Sequence, residues 1–256
     1  METKIVEDFL SIQGEGPRNG EPSYFIRTAG CTLHCPFCDT KYALSKNLGE
    51  KFGPELLERI VDSKVSNVVL TGGEPTIHLK NDKFVDFIIN LITVHNFGIT
   101  FETTTLMELD FLKESDIITV LSYFDNFFIE TETEKIDYVV SPKLDLECYP
   151  SAIDATIEDI IKYYSLMNFE SLYDLTGALS YKFIYDKGTE ENLLRMLEVI
   201  PEWFKLNYTY IMPFTEINHL ENYKKSCEDT INFCIKNNVR YSPRIHIDIW
   251  GNKKGV

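Results

Sequence analysis

Cys31, Cys35 and Cys38 stand at C-x3-C-x2-C spacing in the stretch Gly30-Cys31-Thr32-Leu33-His34-Cys35-Pro36-Phe37-Cys38-Asp39-Thr40. Whatever surrounds it, this loop must turn tightly enough for three thiolates to face one object. Thiolates are soft ligands, and three at these spacings suit three irons of a cubane cluster. The fourth iron is then left without a protein ligand, and an open position is what a metal needs to take a substrate or cofactor. A structural zinc site calls for four ligands. His34 is on offer as the fourth, but it lies between two cysteines where the chain is busy wrapping, so zinc is the weaker reading. Cysteine is often buried, yet packing is a poor account of three so close together.

Charge narrows the partners. The chain has 256 residues and a formal net charge of −15. That opposes a phosphate-tracking nucleic-acid binder or a surface drawn to anionic lipid. The opening METKIVEDFLSIQGEG lacks the basic and apolar regions of a secretory signal. No apolar run is long enough to span a bilayer. A cytoplasmic location is the expectation, and there clustered cysteines read as metal ligands rather than disulfides. A chain of this length buries a full core without staples, and a single domain over 1–256 is expected.

Apolar β-branched runs alternate with helical spacings. Strands are expected over 23–28, 67–71, 98–102, 117–121, 138–140, 181–185, 208–212 and 239–248. Helices are expected over 54–63, 82–96, 156–167, 189–200 and 218–237. Pro54 suits a first helical turn. Phe84, Phe87, Ile88, Leu91 and Ile92 follow helical spacing. This order predicts an α/β fold whose parallel sheet is joined by crossover helices. It does not separate an open sheet from a barrel. Residues 106–135 break the rhythm and read as an irregular insertion, with Phe124, Phe127 and Phe128 packing it down and 130–134 as a solvated acidic loop.

Gly72-Gly73-Glu74-Pro75 directly follows the expected strand that ends Val68-Val69-Leu70-Thr71. Glycines permit close backbone approach, and the carboxylate can accept from an ammonium. Alone, this would read as a turn. Together with the aromatic Phe37 before the last cysteine, it makes the chain resemble the radical S-adenosylmethionine (SAM) superfamily. The resemblance implies a partial (β/α) barrel and a [4Fe–4S] cluster on Cys31, Cys35 and Cys38. It also implies SAM chelating the open iron, with one-electron cleavage to a 5′-deoxyadenosyl radical. Phe37, Cys38, Asp39, Gly73 and Glu74 are the SAM residues this implies.

A narrower resemblance covers most of the chain. Ser11-Ile12-Gln13-Gly14-Glu15-Gly16-Pro17, Ser23-Tyr24-Phe25-Ile26-Arg27, Ser141-Pro142-Lys143 and the tail Pro243-Arg244-Ile245-His246-Ile247-Asp248-Ile249-Trp250-Gly251-Asn252-Lys253-Lys254-Gly255-Val256, with its H-x-x-x-W-G-N-x-x-G-V pattern, resemble the 7-carboxy-7-deazaguanine synthase family. It implies conversion of 6-carboxy-5,6,7,8-tetrahydropterin to 7-carboxy-7-deazaguanine with loss of ammonia, for queuosine and related deazapurines. SAM contacts from Ser141, Pro142 and Lys143 follow from it, as does Mg²⁺ on Thr40, for which the plainer reading is a helix cap. Substrate contacts are implied for Ile12, Gln13, Gly14, Glu15, Arg27, Thr71 and His246. Gln13 and Glu15 suit the donor and acceptor edge of a pterin. Arg27 suits its carboxylate in a bidentate fork. An external one-electron reductant such as flavodoxin or ferredoxin, and a homodimer, are implied by analogy.

Some residues depart from that family. The stretch after Glu102 reads Thr103-Thr104-Thr105 where a glycine is usual, and Thr76-Ile77-His78 follows the Gly-Gly-Glu-Pro. Cys148, Cys227 and Cys234 lack cluster spacing. Cys227 and Cys234 can share a buried helix face. His78, His95 and His219 are assigned no role. His246 alternates with Ile245 and Ile247 on the expected last strand, where substrate contact and packing are equally good readings. Two other functions share part of the pattern. A glycyl-radical-enzyme activase carries the same cysteine motif but is not expected to carry the Q-G-E-G stretch with the W-G-N-x-x-G-V tail. A non-catalytic iron–sulfur sensor would hold a cluster without cleaving SAM.

Overall fold

A computed structural model describes residues 2–104, 136–149, 156–165, 179–215, 220–251 and 253–256. The expected strand over 117–121, the insertion over 106–135 with its aromatics and acidic run, and His219 lie outside the described residues. In chain order the elements begin with β1 (Lys4–Ile12), β2 (Pro22–Thr28), β3 (Glu50–Lys51), α1 (Pro54–Ser63), β4 (Asn67–Gly72), α2 (Asp82–Thr93), β5 (Gly98–Thr103) and β6 (Ile136–Val140). They continue with α3 (Ile157–Ser165), β7 (Leu179–Tyr185), α4 (Glu190–Val199), α5 (Glu202–Tyr208), β8 (Thr209–Pro213), α6 (Tyr223–Asn237), β9 (Arg240–Tyr241) and α7 (Ile245–Trp250).

Among the described residues the strands form one open nine-stranded sheet, ordered β3-β1-β2-β4-β5-β6-β7-β8-β9. From β2 to β9 every pairing is parallel, while β1 runs antiparallel to both β2 and β3. This is the α/β partial barrel expected from the motifs. The cause is legible in β4, whose Val68, Val69 and Leu70 are fully buried. A strand apolar on both faces needs cover on both, and crossover helices supply it. Helix α2 turns Phe84, Val85, Ile88, Leu91 and Ile92 inward. Phe101 stacks on Tyr138 across β5 and β6, with centroids 5.3 Å apart. Among the described residues no helix is long and apolar enough to cross a membrane.

One expectation fails outright. Residues 239–248 do not form a strand. Only Arg240 and Tyr241 pair with β8, and helix α7 then begins at Ile245. Pro243 has no N–H to extend a ladder. The Arg244 carbonyl instead accepts from the N–H groups of Ile247 and Asp248. The Ile245-Ile247-Ile249 alternation imitates a strand, yet Ile249 is exposed and Ile247 buried. The other differences are smaller. Helix α2 stops at Thr93 rather than 96, and Asn96 takes a left-handed turn. β1 escaped expectation because Glu7 and Asp8 interrupt its apolar pattern, and α5 because it is only seven residues long.

Register places the chemistry. Arg27 lies beside Thr71, Thr28 beside Gly72, and Thr103 beside Val140. The carboxyl ends of β2, β4, β5 and β6 therefore open onto one space, where ligands bind in such sheets.

Candidate active site

That space is a cavity of about 300 Å³. Its wall includes Ile12, Gln13, Gly14, Glu15, Arg27, all three motif cysteines, Phe37, Asp39, Thr40, Thr71, Gly73, Glu74, Ser141, Lys143 and His246. Pro142 lines an adjoining cavity of about 420 Å³, shared with Phe37 and Lys143. Every residue singled out from the motifs thus converges on one region, although the segments come from both ends of the chain.

The cysteine loop is docked by backbone. Glu74 N–H donates to Gly30 O at 2.7 Å, Gly73 N–H to Thr28 O at 3.1 Å, and Gly30 N–H to Ala43 O at 2.7 Å. A methyl group at Gly73 would collide with the Gly30 carbonyl, and one at Gly72, whose φ is 136°, with the Thr28 backbone. The glycines are required first by this loop-on-strand contact. Gly73→Ala is expected to push the loop off the strand end and cut cluster loading at least about tenfold. Iron per chain after anaerobic reconstitution measures this; full loading would refute it.

Cys31 Sγ accepts from Leu33 N–H at 3.3 Å, and Cys38 Sγ lies 3.6 Å from Thr40 Oγ1. Cys148 is wholly buried, and its thiol beside Cys35 holds Cys35 below the ordinary thiol range. Burial and then nearby Glu74 push Cys31 up to about 12. Metal must displace that proton, so loading favours higher pH. His34 is exposed and does not line the cavity, which removes the proposed fourth zinc ligand. Among the described residues no three His, Cys, Asp or Glu side chains converge on a single ion. A cubane asks less, since each thiolate caps a different iron. The donor set therefore fits a cluster with one open iron.

Glu74 is completely buried, and five donors reach its carboxylate. Oε1 accepts from Thr76 N–H, Thr76 Oγ1 and Thr103 Oγ1, and Oε2 accepts from Thr104 N–H and Oγ1. The departure after Glu102 thus has a structural use, because Thr104 completes this cradle. Nearby, Lys143 Nζ donates to Ser141 Oγ at 2.9 Å, and Ser141 N–H to Thr103 O at 2.7 Å. Thr40 precedes a short 3-10 turn but makes no side-chain cap. Its hydroxyl is left at the cavity wall beside Cys38.

The floor is a buried ionic network that motif reading only partly foresaw. Lys182 Nζ donates to Glu15 Oε2 at 2.7 Å and to Glu102 Oε2 at 2.6 Å. Arg244 donates to Glu15 Oε1 and to Asp39 Oδ2, each at 2.7 Å. Burial opposes ionisation of Glu15, but Lys182, Arg244 and His246 outweigh it and hold the carboxyl well below the usual range. For Glu102 burial wins, helped by Glu15, and its carboxyl lies above the usual range. His246 comes from helix α7, not a strand. Its ring packs against Gly14, where any side chain would strike Nδ1, and burial lowers its pKa. His78 is also buried; its Nε2 donates to Ala29 O at 2.7 Å behind the cysteine loop.

At the other end Arg27 Nε donates to Glu7 Oε1 at 2.7 Å, and Tyr42 OH donates to the same oxygen at 2.7 Å. Lys254 Nζ stands 3.8 Å over the Tyr42 ring. Glu7, Tyr42 and Lys182 carry no motif, and Arg244 and Lys254 stand in the tail stretch without an assigned role. Lys182 had one usable signal, a lone charge in the apolar run Tyr181 to Tyr185.

Comparison with known proteins adds to this geometry. Residues 25–135 match the Radical SAM superfamily model. The 7-carboxy-7-deazaguanine synthase of Clostridium acetobutylicum is 32% identical over 267 residues, covering 100% of both chains. That of Hyperthermus butylicus is 55% identical over 75 residues, which is 29% of this chain and 32% of that one. A crystal structure of QueE from Escherichia coli superposes with a TM-score of 0.55 at 21% identity, over 94% of this chain and 93% of the other.

Proposed function

The chain belongs to the 7-carboxy-7-deazaguanine synthase family, and from that membership we propose that it contracts the ring of 6-carboxy-5,6,7,8-tetrahydropterin to 7-carboxy-7-deazaguanine, releasing ammonia. It is a radical SAM enzyme, a carbon–nitrogen lyase that uses a [4Fe–4S] cluster and SAM. The single observation behind the assignment is convergence. The cysteine loop, the Gly-Gly-Glu-Pro strand end and the Gln13–Glu15 loop share one cavity with Arg27.

When bound and reduced by one electron, cluster and SAM supply hydrogen-atom abstraction, directed here at C6 of the pterin. The chain's residues hold and orient. Cys31, Cys35 and Cys38 carry the cluster. Phe37, Asp39, Gly73, Glu74, Ser141, Pro142 and Lys143 surround SAM. Glu74, already cradled by threonines, keeps its strand end rigid. Ile12, Gln13, Gly14, Glu15, Thr71 and His246 face the pterin. Arg27 is tethered through Nε to Glu7, so its terminal edge is the part presented to the substrate carboxylate in a charge-assisted fork. Thr40 supplies one hydroxyl to Mg²⁺, an ion that keeps most of its waters and needs few protein ligands. The working form is a cytoplasmic homodimer of single-domain chains, served by a flavodoxin or ferredoxin.

The test is anaerobic turnover of the carboxy-tetrahydropterin by reconstituted enzyme with SAM, Mg²⁺ and dithionite. A deazapurine product is expected. A glycyl radical on an added partner protein, with no deazapurine, would favour an activase. No SAM cleavage at all would leave only a sensor.

A further inference from the structure

We propose that Lys182 is a positioning residue for the substrate end of the pocket, fixing the Gln13–Glu15 loop to strand β5 by holding Glu15 and Glu102 on one ammonium. The inference rests on the ring-contraction reading and concerns a residue outside every motif that led to it.

The four residues close a ring. Lys182 bonds one oxygen of Glu15 and one of Glu102. The other Glu102 oxygen accepts from Gln13 Nε2 at 2.9 Å. Gln13 Oε1 in turn accepts from the Glu15 N–H at 3.3 Å. Residues far apart in sequence are thereby locked: Lys182 lies 167 positions from Glu15 and 80 from Glu102. Its side chain is only 5% exposed, and its stem runs beside Gly16.

Stability is a poor reason for such a site. Burying three charges is expensive, and an apolar replacement of a buried pair is often neutral or better. Nor is Lys182 placed to act as a base, because both neighbouring carboxylates favour its ammonium form. What the ammonium supplies is geometry. It allows two like charges to stand side by side, and so sets where Gln13 and Glu15 present their polar groups. Without it, one of two adjacent buried carboxylates takes up a proton. Burial already disposes Glu102 to do so, with Lys143 opposing from the SAM side. Glu15 keeps Arg244 as its remaining charged partner, with the His246 ring beside it.

The experiment uses full-length reconstituted enzyme. Lys182→Met is expected to raise KM for the carboxy-tetrahydropterin about 100-fold, with kcat changing less than about tenfold. The Kd for 6-carboxypterin, titrated calorimetrically in the presence of SAM, should weaken in parallel while iron per chain stays at the wild-type level. KM of the variant should fall again as pH is lowered, because burial disposes Glu102 to take up a proton and so relieve the repulsion. Lys182→Arg should restore KM to within about tenfold of wild type. Unchanged KM and Kd in Lys182→Met would overturn the proposal, as would a fall in kcat alone. If that variant does not accumulate, Glu102→Gln opens the same ring isosterically; a raised KM supports the proposal and a wild-type KM overturns it. Wild-type enzyme without deazapurine product would instead refute the ring-contraction reading.

Discussion

Cys35→Ala is expected to abolish deazapurine formation, with product below detection under conditions where wild-type enzyme turns over. In the proposed cluster each of three thiolates would cap one iron, and the loop offers no replacement. His34 faces solvent, and Cys227 and Cys234 sit on helix α6. Cys148 is the one neighbouring thiol among the described residues, but it is wholly buried in the core and its backbone is tied to His34 N–H at 2.8 Å. Its side chain lies beside Cys35 but does not line the cavity. Iron content and the visible absorbance of the cluster should fall together with activity. Turnover retained in both Cys35→Ala and Cys35→Ala/Cys148→Ala would contradict the assignment of the cluster. Turnover lost again in Cys35→Ala/Cys148→Ala after surviving in the single variant would show Cys148 standing in.

Arg244→Met carries the second large effect, this time on stability as well as activity. Arg244 is 7% exposed and bonds Glu15 and Asp39. Removing one partner of a buried charge pair costs roughly 3–5 kcal/mol. For a chain of this size that corresponds to a drop in Tm of about 10 °C. The effect has a defined pH dependence. Glu15 is held below its ordinary value of 4.5, in part by Arg244. A depressed carboxyl stabilises the fold above its unfolded value, and that contribution disappears as pH falls through the folded value. The Tm difference between wild type and variant should therefore be largest near neutrality and shrink below about pH 4.5. A difference constant from pH 7 to pH 3 would show that lost packing, rather than the ion pair, is responsible.

The sequence was most readable where one local constraint dominates. Pro54 and an amphipathic spacing give α1 to the residue, and the run Asn67 to Thr71 can hardly be anything but a covered strand. The cysteine loop and the strand end behind it were readable because their chemistry is written in consecutive residues. Legibility failed where partners are distant. Nothing local announces that Lys182 meets Glu15, or that Glu7 holds Arg27, because those pairings exist only once β7 and β1 have taken their places in the sheet. The misread last strand has another cause. Alternating isoleucines suggest a strand, but the missing N–H of Pro243 decides the matter locally and alternation does not. Thr104 departs from the family pattern, and it bonds Glu74 through both backbone and side chain.

A sheet that does not close keeps two borders, and unpaired strand borders invite other chains to add to them. Among the described residues β9 is a stub of exposed Arg240 and half-buried Tyr241. At the opposite border β3 consists of exposed Glu50 and Lys51 and covers only Lys4 and Ile5 of β1. The rest of β1 is guarded by charge, because Glu7 and Asp8 disfavour an apolar incoming strand. Lengthening the β9 stub with alternating valines is the change that would turn an open border into a seed for aggregation.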